Sequence, residues 1–381
     1  MALILLALLL LLMPLHSLVT AERVLLITLV LFYSYQVISG AALLKSKIIY
    51  ICTGLTLVLA ASALVGTYGI NLYEVFRLIL IIWTIPFLKF LITQYGTKKI
   101  ILISLSVLAI HGVWGILQFI FQKSLGLNIL GESVLSVQQN GVAKFLFSGQ
   151  KLIRSYGPYA HPNSFSAALL AGIILLFNPV WNKNKKINYF FIIIFLIALL
   201  TTFSRAALIG LFIFFIFKLS QRKISKNIFL ISLTCVTLFS PLYFYRTTDP
   251  EDRGFSERQS GAHWALQIIN NVSWWRGVGP GNYEKSLLVY LQKNKISYQP
   301  WEIQPVHSIP LLFIAEWGKA ISFLLGIVLA INSYSFFKRK KNDLLILFLA
   351  ATPLMLFDHY LLTQTAPLVW LLLALQLGLA E

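Results

Sequence analysis

The stretch INYFFIIIFLIALLTTFSRAALIGLFIFFIFKLS, residues 187–220, decides how this chain is organised. Read as one long helix interrupted at TTFSRAAL it crosses a membrane once; read as spans 187–203 and 206–220 with a tip at Ser204-Arg205 it crosses twice. Each short span is about 24 Å long at about 1.5 Å per residue, less than a hydrocarbon core of about 30 Å, so local thinning or shielding by neighbouring helices must accompany the second reading. The parity of every later loop depends on the choice.

Charge settles it. Lys45 and Lys47, Lys98 and Lys99, Lys183 with Lys185 and Lys186, Lys218 with Arg222, Lys223 and Lys226, and Lys338 through Lys341 occupy every second loop, and these five loops hold fifteen of the 31 basic residues. The positive-inside rule assigns them to the cytoplasm only if 187–220 is two spans. Working outward, apolar runs mark 2–19, 24–40, 48–66, 78–94, 99–122, 164–180, 187–203, 206–220, 226–244, 310–335, 344–362 and 366–380, twelve spans in all. Both termini are then cytoplasmic, and the outer face owns loops 123–163 and 245–309 and the Arg205 tip.

Composition agrees with an all-α polytopic membrane protein forming one integral membrane domain, 1–381. The chain is 58% hydrophobic and 12% charged, with mean hydropathy +0.80, more apolar surface than a soluble domain of this size can cover. A formal charge of +18 on a soluble protein would point to nucleic acid, but here the cations sit between apolar runs, so no nucleic-acid partner is expected and membrane lipids are. The first span lacks a basic leader region, so it is read as an uncleaved anchor rather than a signal peptide. Cys52 and Cys235 both fall inside spans, which argues against a disulfide framework or thiolate metal site.

The two cation types are sorted. Thirteen of the fifteen cytoplasmic basic residues are Lys, while eight of ten Arg (Arg23, Arg77, Arg154, Arg205, Arg246, Arg253, Arg258, Arg276) map outside. Guanidinium is a planar fork suited to phosphate, so an outward-facing phosphorylated ligand is expected. Arg205, between two short spans, needs water or an anion; snorkelling to headgroups is its bland alternative.

Polar signals cluster in the outer loops. RSYGPYAHPNSFSAALL runs from Arg154 to Leu170, with His161-Pro162-Asn163 leading into a helix that Asn163 is placed to cap. FSERQSGAHWALQIINN reads as an amphipathic surface helix; Ser256 and Gln259 have capping-box spacing, starting the helix at Glu257 and putting Arg258 in its first turn, a favourable anion site. WWRGVGPGNY, Trp274 to Tyr283, is glycine-rich, a weak phosphate signal by itself; its tryptophans fit an interfacial aromatic belt better than sugar stacking. His307 lies just outside span ten and could take a proton from a hydroxyl at neutral pH; His161, His263 and His359 are the other histidines at outer ends. Glu316, about two turns deeper, is expected to pair with Lys319 at i+3. Glu22 beside Arg23 is expected to form a surface pair, and Asp358-His359 is a reserve dyad.

In this order, Arg154-x-x-Gly157 with His161-Pro162-Asn163, Ser204-Arg205-Ala206, Arg258 before Trp264-Ala265-Leu266, Gly277-Val278-Gly279-x-Gly281-Asn282, and His307 with Glu316-x-Gly318 resemble the O-antigen ligase and polymerase superfamily, over roughly residues 150–320. The first five spans match in hydropathy alone. The resemblance implies a GT-C-type, metal-independent, inverting glycosyltransferase with no cofactor and a periplasmic active site, in the inner membrane of a bacterium. It implies that Arg205 and Arg258, with Arg154 more weakly, hold the pyrophosphate of an undecaprenyl pyrophosphate-linked glycan, that His307 is catalytic, and that His161, Asn163, Gly279 and Asn282 contact substrate. The acceptor would be lipid A-core in a ligase or a second lipid-linked glycan in a polymerase. A transporter for the lipid-linked glycan is the reading from another class, disfavoured because the arginines sit at outer ends and no repeat is visible.

Overall fold

The computed structural model describes residues 2–14, 21–39, 47–64, 67–68, 71–127, 132–181, 185–221, 234, 254–338 and 342–379. Span 226–244, Arg246 and Arg253 lie outside the described residues, apart from Thr234.

Fifteen α-helices dominate the described residues. The first five are α1 (Ala2–Leu12), α2 (Ala21–Ile38), α3 (Lys47–Leu64), α4 (Leu72–Tyr95) and α5 (Thr97–Phe121). Then come α6 (Pro162–Leu176), α7 (Lys185–Thr201), α8 (Arg205–Ser220), α9 (Gly254–Asn271) and α10 (Tyr283–Lys293). The last five are α11 (Ile309–Trp317), α12 (Lys319–Lys338), α13 (Asn342–Phe357), α14 (Tyr360–Thr363) and α15 (Thr365–Leu379). Two of them, α4 and α5, are long and apolar enough to cross a membrane, and several shorter helices are strongly apolar. Asn71 starts α4 by accepting the Glu74 N–H at 3.3 Å, and Gly96 at φ 81° ends it, which is how one apolar run becomes two helices.

The bundle core forms where α6 is wrapped by α5, α7, α8 and α15, and where α13 lies along α8. Phe165, Phe195, Phe214 and Trp370 are completely buried there. A Cβ on Gly210 would stand 2.3 Å from the Ala350 carbonyl oxygen, so glycine is what allows α8 and α13 to pack backbone to backbone. A second, smaller core belongs to the long loop: Ala265 and Ile268 of α9 pack with Tyr283 and Leu287 of α10, Val306, and Leu312 of α11.

Several expectations are corrected at this level. The chain is not wholly α-helical: β1 (Lys144–Phe147) and β2 (Gln150–Ile153) pair antiparallel in a hairpin whose turn, Ser148-Gly149, has φ 49° and 78°. Positive φ at both central residues is the geometry that joins twisted strands, and Ser-Gly between the short segments KFLF and QKLI is its sequence signal. Span 310–335 is two helices, because Gly318 at φ 85° stops α11 after Trp317. The carbonyls thereby freed are taken by the glycine-rich strap: Val278 N–H donates to Ala315 O (2.8 Å) and Gly279 N–H to Glu316 O (3.0 Å). Glu316 and Lys319 are thus on separate helices and lose the i,i+3 relation. Span 344–362 also ends early; α13 stops at Phe357 and leaves Asp358 and His359 outside it.

One end of the bundle is tied by polar contacts between segments remote in sequence. Thr365 Oγ1 donates to Glu22 Oε1 (2.6 Å), Arg77 Nη2 to Leu362 O (2.6 Å), and Arg154 Nε to Thr202 O (2.6 Å). Glu22 is therefore buried against α15, not half of a surface pair with Arg23, which is itself exposed.

Candidate functional site

Residues 187–220 fold as two helices. Thr201 ends α7, Phe203 turns the chain at φ 51°, and the Ser204 side chain caps α8 by accepting the Ala207 N–H at 3.4 Å. Arg205 is consequently the first residue of α8, where backbone N–H groups without helical partners and the positive end of the helix dipole reinforce a guanidinium.

α9 approaches the same place. It begins at Gly254, so Ser256 is already helical and the expected capping box does not start it. Arg258 accordingly sits in the second turn, and the helix-terminus component of anion binding belongs to Arg205 instead. Arg258 is half-buried, and its Nε has no hydrogen-bond partner among the described residues.

Arg205, Arg258, His307, Asn163 and Asp358 line one cavity of about 550 Å³. Its remaining wall is largely apolar, with Phe203, Ile209, Leu311, Leu356 and Phe357. His307 precedes Ser308, the N-cap of α11, and its Nδ1 is 3.8 Å from Asp358 Oδ1. That is too long for a hydrogen bond and close enough for a strong charge interaction.

Asp358 is the junction of the site. Its Oδ1 accepts the N–H of His359 (2.8 Å) and, at 3.4 Å, that of Tyr360, and its Oδ2 accepts from Asn163 Nδ2. Asn163 Oδ1 in turn accepts from Arg154 Nη2 at 2.6 Å. The Arg154–Asn163–Asp358 chain thus holds a carboxylate against His307. Burial pushes the Asp358 carboxyl up, but the His307, His359 and His161 imidazoles around it outweigh that and bring it down to about 2. Burial, countered in part by Asp358, lowers His359 to about 4, so it is neutral near pH 7. For His161, burial first and the Arg154 charge second push the imidazole well below its usual range.

The geometry therefore sorts the residues named from the sequence. Arg205, Arg258, His307 and Asn163 converge on the cavity. Arg154 is buried behind Asn163 and does not line it. Asn163 does not cap α6; His161 does, by accepting the Asn163 N–H at Nδ1 (3.2 Å), because Pro162 occupies the first helical position and moves the cap upstream. His161 is stacked on Tyr360 with ring centroids 4.3 Å apart, also behind the cavity wall. His263 is exposed on α9. Gly279 and Asn282 belong to the strap that holds α11 and lie outside the cavity lining; a Cβ on the neighbouring Gly277 would stand 2.2 Å from the Glu316 backbone. Trp274 and Trp275 are exposed beside it.

Asp358 is the residue that sequence reasoning kept only in reserve. Its signal was an Asp-His pair interrupting an apolar run, which says nothing about which loop it meets. Among the described residues, ligating atoms of His307, Asp358 and His359 lie within 4.8 Å of one another, so this is the set that could hold a divalent cation. No family model matches the chain, and no curated protein matches it.

Proposed function

We propose that the protein is an O-antigen ligase-like glycosyltransferase of GT-C type, moving a glycan from undecaprenyl pyrophosphate to an acceptor hydroxyl, with lipid A-core as the acceptor. In this reading twelve spans cross the bacterial inner membrane, both termini are cytoplasmic, and the cavity opens on the periplasmic side. The supporting observation is the convergence of Arg205, Arg258 and His307, from segments about fifty residues apart, on one cavity that also contains Asp358.

The chemistry follows from the lining. Two guanidiniums and the α8 N-terminus stabilise charge as the pyrophosphate departs, and the apolar wall suits the first isoprene units of the carrier. The acceptor oxygen attacks the anomeric carbon from the face opposite the pyrophosphate, the new C–O bond forms as the sugar–phosphate bond breaks, and configuration inverts. The acceptor proton passes to the His307 imidazole, whose positive charge the Asp358 carboxylate stabilises from 3.8 Å. Undecaprenyl pyrophosphate leaves.

Incubating purified protein with undecaprenyl-pyrophosphate glycan and either lipid A-core or donor alone, and identifying the product, tests this reading. A glycosylated core is expected; lengthened lipid-linked glycan would make the enzyme a polymerase; transbilayer movement without a new glycosidic bond would overturn glycosyl transfer. Activity should persist in EDTA. If EDTA abolishes it and a divalent cation restores it, His307, Asp358 and His359 are metal ligands and the base assignment fails.

A further inference from the structure

On the other side of His307 and His359 lies a second cavity, of about 380 Å³, with opposite electrostatics. Glu74 of α4, Glu284 of α10 and Glu316 of α11 line it, with Arg77 as their cationic neighbour. Arg77 is committed on two sides, through Nε and Nη2 to Glu74 Oε2 (2.9 and 2.6 Å) and through Nη2 to Leu362 O. Among the described residues, three wall residues each keep a polar atom without a hydrogen-bond partner: Arg77 Nη1, the Tyr283 hydroxyl and His359 Nε2. Their residues are 2%, 1% and 5% exposed, and buried polar groups left unpaired are costly, so their retention needs an occupant or a reason. Trp317, Tyr360 and Leu312 add apolar and aromatic surface.

Carboxylates that accept from hydroxyls, a guanidinium that donates, an imidazole nitrogen whose role follows its tautomer, and aromatic faces for C–H surfaces make a lining for a polyhydroxylated ring. A phosphate would find no uncommitted cation, because the Arg77 guanidinium is already paired with Glu74. The wall between the cavities carries the imidazoles of His307 and His359, whose ring centroids are 5.0 Å apart. We infer that the glutamate-lined cavity is the acceptor-sugar subsite, holding a sugar headgroup without net negative charge beside His359, so that its reacting hydroxyl extends past the edge of the paired His359 and His307 rings into the arginine cavity. This rests on the glycosyltransferase reading for its role, but the site itself can be tested without catalysis.

The experiment titrates the full-length protein in lipid nanodiscs, free of sugar detergents, with cellobiose and glucosamine as saccharide probes and with inorganic pyrophosphate as the probe of the arginine cavity. Tyr283→Phe is the informative variant, because the hydroxyl it removes has no partner among the described residues and its loss should leave stability intact. Wild type should bind at least one saccharide at millimolar concentration, and Tyr283→Phe and Glu284→Gln should each weaken that binding by about fivefold, the size of one lost hydrogen bond. Arg205→Ala should spare saccharide binding and abolish pyrophosphate binding. No saccharide binding by wild type, equal binding by Tyr283→Phe and Glu284→Gln, or loss in Arg205→Ala alone overturns the subsite. Saccharide binding with the expected pattern but no pyrophosphate binding leaves the subsite standing and removes the pyrophosphate reading.

Discussion

Glu132 and Asp358 are both carboxylates buried at 3% exposure, one in the loop before α6 and one between α13 and α14, yet they are built for different ends. Glu132 is saturated: Oε1 accepts from Trp114 Nε1 (3.0 Å), Gln118 Nε2 (2.8 Å) and the Leu125 N–H (2.8 Å), and Oε2 from the Leu127 N–H (2.9 Å). Burial raises its carboxyl, and those donors bring it below the usual carboxylate range. All four donors are neutral, and Glu132 lines neither large cavity, so it is a knot that ties loop to helix. Asp358 is held by Asn163 and two backbone N–H groups, but faces a cavity and an imidazole that lacks a partner at Nδ1. A carboxylate whose capacity is filled by neutral donors stabilises structure; one left with a nearby base and open space is poised for proton chemistry.

The contrast can be broken by substitution. His307→Ala should lower the transfer rate about 10²- to 10⁴-fold, and Asp358→Asn by a smaller factor of about 10- to 100-fold, with the donor KM unchanged in both; equal activity of either variant removes its role. Glu132→Ala should do the reverse. It removes the acceptor of the Trp114, Leu125 and Leu127 N–H groups and leaves Gln118 Nε2 with Gly157 O alone, so thermal unfolding should reveal a loss of about 3 kcal/mol or more, while the activity of the molecules that remain folded is preserved. A stable but inactive Glu132→Ala would erase the distinction between the two carboxylates.

Acidification should separate them more gently. His359 is neutral in the fold down to about pH 4 but takes up a proton near its usual 6.5 when unfolded. The unfolded state then binds more protons between those values, so the melting temperature should fall as pH drops from about 6.5 to about 4. Asp358 is depressed to about 2, so its contribution, present above the unfolded value near 3.8, should be lost between there and about 2. Asp358→Asn should shrink the lower of the two declines by the Asp358 share; an unchanged profile would refute the Asp358 assignment.

Much of this was legible in the chain. Composition and apolar run length determined a helical protein with segments suited to a membrane, because backbone groups in an apolar run must bond within their own helix. Residue type singled out Arg205, since an arginine between two short apolar spans is costly without a task, whereas Arg258 and His307 were candidates that the resemblance brought forward. The Ser148-Gly149 turn that joins the hairpin was present in the sequence as well.

What only the tertiary structure decided is how these residues meet. Arg154 and Arg205 look alike in sequence, but one is sequestered behind Asn163 and the other opens α8 into the cavity. Gly318 looked like one glycine in a long span, yet the strap from Trp274 to Asn282 needs a gap there, and Gly279 and Asn282 serve that strap. Asp358 gained its meaning from Asn163, 195 residues away. Hydropathy and residue chemistry are local properties, written in the chain itself; the pairing of a base with its carboxylate and the separation of cationic from acidic space depend on which helix ends pack together, and packing is settled over the whole molecule at once.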